Sequence, residues 1–146
     1  MEPYATNRKA SFDYEILETY EAGIELFGFE VKAIRSGRIM LSGAFAVPRG
    51  SELWLTNATI PPYQAANTPR SYNPERPRRL LLHKSEIATL IGKSRQGGLT
   101  LIPLRVYSKN RKIKLLLGVA RRKKAFDKRQ KIKKRDMERE AEREKT

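Results

Sequence analysis

The chain of 146 residues contains no cysteine and only one histidine, His83. Without thiols there is no disulfide, no thiolate zinc site and no cysteine nucleophile, and one imidazole cannot build a catalytic triad or a histidine-rich metal centre. Glycine is sparse at nine residues, and none opens a phosphate-cradling loop followed by Lys-Ser or Lys-Thr. The 16 acidic residues are scattered without a recognisable catalytic spacing. The expectation is a protein that is not an enzyme and needs neither metal nor cofactor. Long apolar runs are absent as well: "LLLGVA", Leu115 to Ala120, falls far short of the ~20 residues of a membrane-spanning helix. The opening stretch "MEPYATNRKASFDYE" carries several charges, no apolar signal core and no lipidation motif, so the expected location is the cytoplasm, with no membrane partner.

Positive charge is what the chain has in excess. Thirty-one Lys and Arg against 16 Asp and Glu leave a net charge of +15, a field that attracts a polyanion, and without membrane anchors the polyanion is a nucleic acid. The charge is unevenly spread. Residues 1–120 hold nearly all the large apolar side chains, whereas residues 121–146 hold 13 basic and six acidic residues with only Phe126, Ile132 and Met137 as sizeable apolar groups. Such a tail cannot bury enough surface to offset its ordering entropy. The expected organisation is therefore one domain at 1–120 and a basic tail at 121–146, disordered or a solvated helix until a partner holds it. As a helix it would align Arg121, Lys124, Lys128, Lys131, Arg135 and Arg139 in one stripe, with Phe126 and Met137 on another face. Its phosphate contacts would be sequence-independent and salt-sensitive.

Alternation with period two dominates the first 120 residues. "YEILETYEAGIEL" reads as a long strand with a break near Leu17–Glu18, "AFAVPRGSELWLTNATI" as a hairpin turning at Pro48–Ser51, and "LTLIPLRVYSKNRKIKLLLGVA" as another turning near Ser108–Arg111. Each strand needs a partner, and together they predict a closed antiparallel barrel. Two short helices interrupt the strands. One places Phe27, Val31 and Ile34 on a shared face and stops at Gly37; the other places Ile87, Leu90 and Ile91 together, with Ser85 as N-cap and Gly97–Gly98 as the stop. Trp54 and Phe45 are expected in the core. The loop "PPYQAANTPRSYNPERPRR" contains five prolines, and its Tyr63 and Tyr72 could either stack on a base or pin the loop. Glu21 also admits two readings: an exposed carboxylate balancing nearby lysines, or an acceptor for a base edge or 2′-hydroxyl.

The segments "NRKASFDYEILETYEAGIELFGFEVKAIRSG", "NATIPPY", "NPERPRRLLLHKSEI", "GLTLIPLRVY" and "RRKKAFDKRQKIKKRD", in this order, resemble the SsrA-binding protein (small protein B) family along almost the whole chain. The resemblance implies a mainly β, six-stranded oligonucleotide-binding-type barrel with three helices and a C-terminal tail that is disordered when free and helical on the ribosome. It implies binding of the tRNA-like domain of transfer-messenger RNA, with elongation factor Tu and GTP joined through that RNA, and delivery to stalled ribosomes. The tail would probe the decoding centre and the empty mRNA channel of the small subunit. By matching position, RNA contacts fall to Asn7, Glu21, Leu81 and His83, with Lys32 and Arg35 in support and Lys123 and Lys124 ahead of the tail motif. Ribosome contacts fall to Phe126, Asp127, Lys128 and Arg129, followed by Lys131, Lys134 and Arg135. Five positions depart from the family pattern. Thr59 stands where many members have His or Asn, Asn73 where Asp is usual before proline, and Met40 where Asn is frequent. Arg122 replaces the glycine of a "GKK" motif and Met137 a common Trp. The competing expectation, from charge alone, is a ribosomal or general structured-RNA-binding protein.

Overall fold

A computed structural model describes residues 2–124 and 132–139. Its elements are β1 (Ala5–Thr6), α1 (Arg8–Asp13), β2 (Tyr14–Ile24), α2 (Gly28–Arg35), β3 (Phe45–Arg49), β4 (Glu52–Thr56), β5 (Arg78–Leu81), α3 (Lys84–Ser94), β6 (Leu99–Lys109) and β7 (Lys112–Arg122). A further helix, α4, covers residues 132–139. Strands β6, β3, β4, β5, β2 and β7 follow one another around a ring that closes because β7 pairs with β6 as well as β2. All pairings are antiparallel, so the expected six-stranded barrel is present, with β1 added on β6 beside β3. Closure leaves no continuous free sheet edge, which removes the usual template for aggregation.

Alternation explains the strands. Leu53 and Leu55 of β4, Leu80 of β5, Leu101 and Val106 of β6, and Leu115 and Leu117 of β7 are all at most 1% exposed and fill the interior with Ile34 and Ile60. Each such side chain contributes ~1.5–3 kcal/mol by leaving water. The same alternation turns Trp54 outward between Leu53 and Leu55, and Phe45 outward before Ala46. Both are half-buried rather than core, and Arg49 lies 5.3 Å over the Trp54 ring. The break expected in β2 is a bulge: register shifts between Ile16 and Glu18, leaving Leu17 unpaired and 42% exposed. A second bulge interrupts β6 between Pro103 and Arg105. Between them Gly118 of β7 makes room, since a Cβ there would stand 3.0 Å from Leu104 Cδ1 and 3.3 Å from Ile16 Cγ2.

The turns are tighter than the sequence suggested. Pro48 belongs to β3, and the hairpin turns through Gly50–Ser51, with Gly50 at φ 60°. In the β6–β7 hairpin, Asn110 and Arg111 both take positive φ, 52° and 65°, as a two-residue type I′ loop requires. The helices also differ in detail. Phe27 is not on the buried face of α2 but caps its N-terminus and is 50% exposed, because Glu30 occupies the inward position with Ala33 and Ile34. Gly37, at φ 83°, ends α2 as expected, with the Gly37 and Arg38 N–H groups bonded to the Ile34 and Ala33 carbonyls. The N-cap of α3 is His83, not Ser85, and Glu86 accepts its backbone N–H at 3.2 Å. Reading the residues alone missed α1, whose cap is Asn7.

The proline-rich loop is held by one buried carboxylate. Glu30 is 0% exposed and Arg78 1%. Arg78 Nη2 lies 2.6 Å from Glu30 Oε2, and Arg76 pairs with Oε1. Arg78 also donates to the carbonyls of Ala58, Pro74 and Arg76, so its donors are satisfied. The Tyr72 hydroxyl sits 2.9 Å from Glu30 Oε2 and 2.8 Å from the Ile60 carbonyl. Tyr72 therefore pins the loop. Burial pushes its phenol up to about 12, with the Glu30 bond adding to the effect. For Glu30 itself burial pushes upward, but hydrogen bonds from Arg76, the Phe27 N–H and Arg78 outweigh it and hold the carboxyl below its usual range.

At the far end, β7 runs to Arg122, two residues past the expected domain boundary, and the Lys123 N–H bonds the Asp13 carbonyl at 2.8 Å. In the tail, α4 places Ile132, Lys134, Arg135 and Glu138 around a hollow shared with Phe12. Met137, on α4, is 62% exposed.

Removing one partner of a buried ion pair strands the other, which costs ~3–5 kcal/mol. Glu30→Ala is expected to lower unfolding free energy by about that amount in urea titrations, whereas cutting the exposed Arg79–Glu25 pair by Arg79→Ala changes much less. Because the folded Glu30 carboxyl is lowered, its stabilisation is complete above the unfolded value of ~4.3 and fades as pH falls through the folded one. Glu30→Ala should correspondingly flatten the acid side of the stability curve.

Candidate nucleic-acid interface

Glu21 stands on the outer face of β2, opposite Leu116 of β7, because its neighbour Ala22 points into the core. From β6, Tyr107 reaches across β7 and donates its hydroxyl proton to Glu21 Oε2 at 2.5 Å. Lys109, also on β6, donates to both carboxylate oxygens at 3.2 and 3.4 Å. The hydrogen bond from Tyr107 holds the Glu21 carboxyl below its usual range, with Lys109 adding and desolvation opposing. Burial and the bond to Glu21 push the Tyr107 phenol up to about 12. At neutral pH the pair is carboxylate and phenol, with carboxylate lone pairs still open to solvent.

One shallow hollow gathers Glu21, Leu81, Leu82, His83, Glu86 and Lys114. Leu81, the last residue of β5, is 45% exposed and lies over Gly23, its partner in β2. It can do so only because Gly23 lacks a side chain: a Cβ there would be 3.3 Å from Leu81 Cβ. On the other side of Leu81 a second hollow is walled by Arg35, Arg111, Lys112 and Lys114. Arg35 is fixed there by donating to the Arg111 carbonyl at 3.0 Å, which ties α2 to the β6–β7 turn. The result is a strip with an apolar centre, Glu21 as an acceptor carboxylate beside Glu86, which takes the His83 N–H, and a cationic border. That combination suits RNA: amines for phosphates, the carboxylate for an N–H or hydroxyl donor, Leu81 and the His83 ring for a base face.

The other matched positions lie elsewhere. Asn7 is 6% exposed; its Oδ1 accepts from the Ala10 N–H at 3.2 Å, and its amide nitrogen donates to the carbonyls of Pro103 and Leu41 at 2.9 and 3.4 Å. Its side chain is thus occupied in fastening α1 to the barrel. Lys123 donates to the Ser11 carbonyl beside α1 at 3.1 Å, and Lys124 next to it is exposed. Lys32, on the last turn of α2, is exposed but does not line either hollow. Lys134 and Arg135 are exposed on α4, while Phe126, Asp127, Lys128, Arg129 and Lys131 fall outside the described residues.

Three of the departures from the family pattern have local explanations. Met40 and Thr59 form an isolated bridge through backbone bonds of 2.9 and 3.1 Å, which asks nothing of their side chains. Asn73 Oδ1 accepts the Glu75 N–H at 3.0 Å, a turn that Asp would make in the same way. Sequence reasoning missed Tyr107, Lys109, Lys114, Arg111 and Lys112 as members of the site. The hint was present in the alternation that puts Tyr107 and Lys109 on one face of β6, but their meeting with Glu21 depends on register across β7. Among the described residues, no three His, Asp or Glu side chains are grouped to hold a metal ion, and no helix is long and apolar enough to cross a membrane.

Residues 4–146 match the family model described as SmpB protein. The SsrA-binding protein of Thermosynechococcus vestitus is 53% identical over 137 residues, covering 94% of this chain and 90% of that protein. The SsrA-binding protein of Carboxydothermus hydrogenoformans is 53% identical over 138 residues, covering 94% and 92%. A solved structure described as "tmRNA-SmpB: a journey to the center of the bacterial ribosome" contains a chain 51% identical to this one. The two superpose with a TM-score of 0.69 over 83% of this chain and 85% of that one.

Leu81 packed over Gly23 is a point where the strip can be tested without touching charge. Gly23→Ala is expected to move Leu81 by a few tenths of an ångström. The Leu81 methyl resonances should shift while the melting temperature changes little; unshifted methyls would mean that the contact is looser than described.

Proposed function

The chain belongs to the SmpB protein family, and on that premise we propose that it binds transfer-messenger RNA (SsrA) and takes part in rescuing stalled ribosomes without catalysing a reaction itself. The observation that carries this reading is the convergence of Glu21, Leu81 and His83, from separate parts of the chain, into one hollow bordered by Lys114, next to a second that Arg35 walls. In this reading the strip receives the tRNA-like domain, whose unpaired nucleotides present N–H and 2′-hydroxyl donors to Glu21 and phosphates to the cations. Asn7 contributes indirectly, by fastening α1 where Lys123 and Lys124 leave the barrel. Elongation factor Tu with GTP joins through the RNA rather than through this chain.

The tail carries the second half of the task. With Phe126, Asp127, Lys128 and Arg129 at the decoding centre and Lys131, Lys134 and Arg135 along the mRNA channel, it reports that the channel is empty. Its length suits this: as a helix, residues 125–146 would extend ~33 Å. Action on ribosomes places the protein in the cytoplasm.

Glu21→Ala is expected to weaken binding of the tRNA-like domain about tenfold at fixed salt, the scale of one hydrogen bond to a charged group. Unchanged affinity would remove Glu21 from the interface, and equal affinity of the parent protein for unrelated structured RNAs would make it a general RNA binder. Truncation after Lys124, which spares the strand pairing of Arg121 and Arg122, should leave RNA binding nearly intact and abolish peptide tagging. Loss of tight binding in that truncation would overturn the division between barrel and tail.

A further inference from the structure

We infer that Tyr107 is the positioning residue of the RNA-binding strip: its hydroxyl fixes the Glu21 carboxylate in one orientation toward an N–H or 2′-hydroxyl donor of an unpaired nucleotide. This rests on the reading of Glu21 as an RNA contact and adds what makes that contact specific. Glu21 has three side-chain torsions and stands on an exposed face, its side chain 35% accessible. Left alone it would wander, or swing fully onto Lys109, whose ammonium already lies 3.2 Å away. A carboxylate collapsed on an amine is a poor reader of bases, because its lone pairs point at a mobile cation.

Tyr107 prevents this by geometry. Its ring is planar with two torsions and half-buried, it is anchored in β6 opposite Lys114, and the Arg105 guanidinium lies 5.6 Å over it. The phenol has one proton, and at 2.5 Å that proton is directed to Oε2. This leaves Oε1 as the oxygen turned toward incoming donors, with only the 3.2 Å contact from the exposed Lys109 ammonium on it. A phenol pushed up to about 12 stays a donor throughout the physiological range. Lys109 and Lys114 then flank the fixed carboxylate, where the phosphate attached to the recognised nucleotide would lie. Tyr107 itself need not touch the RNA.

The test is a double-mutant cycle on the full chain with the tRNA-like domain of transfer-messenger RNA as probe. Tyr107→Phe keeps the ring and removes one oxygen, so melting should stay near the parent value while affinity falls about five- to tenfold, the scale of one lost hydrogen bond to a charged group. The Glu21→Ala, Tyr107→Phe double variant should bind no worse than Glu21→Ala alone. A second readout follows the Glu21 carboxyl carbon by NMR as pH is lowered: in Tyr107→Phe its midpoint should rise toward the ordinary ~4.3. The other titratable groups facing it, Lys109 from β6, Lys114 from β7, and His83 and Glu86 at the start of α3, are unchanged in that variant. Full affinity in Tyr107→Phe, with Glu21→Ala weakened, would overturn the inference and spare the site. Additive losses would overturn it by making Tyr107 a separate contact. If Glu21→Ala binds like the parent, the reading of the site fails first, and the inference with it.

Discussion

The Glu30 carboxylate, sealed from water between Arg76 and Arg78, is the constraint on which most of the molecule's geometry depends. A buried charge is tolerated only when it is paired and every remaining hydrogen-bonding group is satisfied. Satisfying Arg78 recruits the carbonyls of Ala58, Pro74 and Arg76, and satisfying Glu30 recruits the Tyr72 hydroxyl and the Phe27 N–H. One ion cluster thereby locks the start of α2, the end of the β4 connection and a loop of five prolines into a single arrangement. Among the described residues no buried side-chain polar atom is left without a partner. Such an arrangement gives little net stability compared with an apolar core but permits few alternatives, which is what a loop without regular structure lacks on its own.

From there the site follows. Arg78 opens β5, so fixing Arg78 fixes the strand whose last residue is Leu81 and whose continuation is His83. Glu30 anchors α2, whose opposite end carries Arg35 into the second hollow. The apolar centre and part of the cationic border are therefore set by the same buried cluster, from its two sides. The acceptor at the other end has a different origin: Glu21 depends on the β2–β7–β6 stack and on the hydroxyl that crosses it. A rigid surface of this kind can hold RNA by shape.

Charge also divides by task. On the barrel, acidic residues are mostly engaged: Glu15 with Arg121, Glu18 with Lys93, Glu25 and Glu52 with Arg79. These pairs are exposed and individually weak. They draw cations into fixed places and leave others, such as Arg111, Lys112 and Lys114, to border the hollows. Glu21 is placed instead beside the exposed Leu81.

By itself, the sequence determined the class of partner and the barrel. Period-two alternation can only be buried by pairing strands, a glycine such as Gly37 marks where a helix must stop, and 31 cations cannot be neutralised internally by 16 acids. The motif order also marked Glu21, Leu81 and His83. What it could not determine was anything that depends on register or on a partner distant in the chain. Trp54 and Phe45 read as core because they are large, yet alternation around the buried leucines turned them outward. Glu30 drew no notice in the sequence, because nothing local announces two arginines nearly fifty residues away. Asn7 was named by its matching position in the family; only the folded chain shows the carbonyls of Leu41 and Pro103 that its amide meets. Tyr107 joined the site through two pairings across β7, and pairing register is decided by how the whole ring closes.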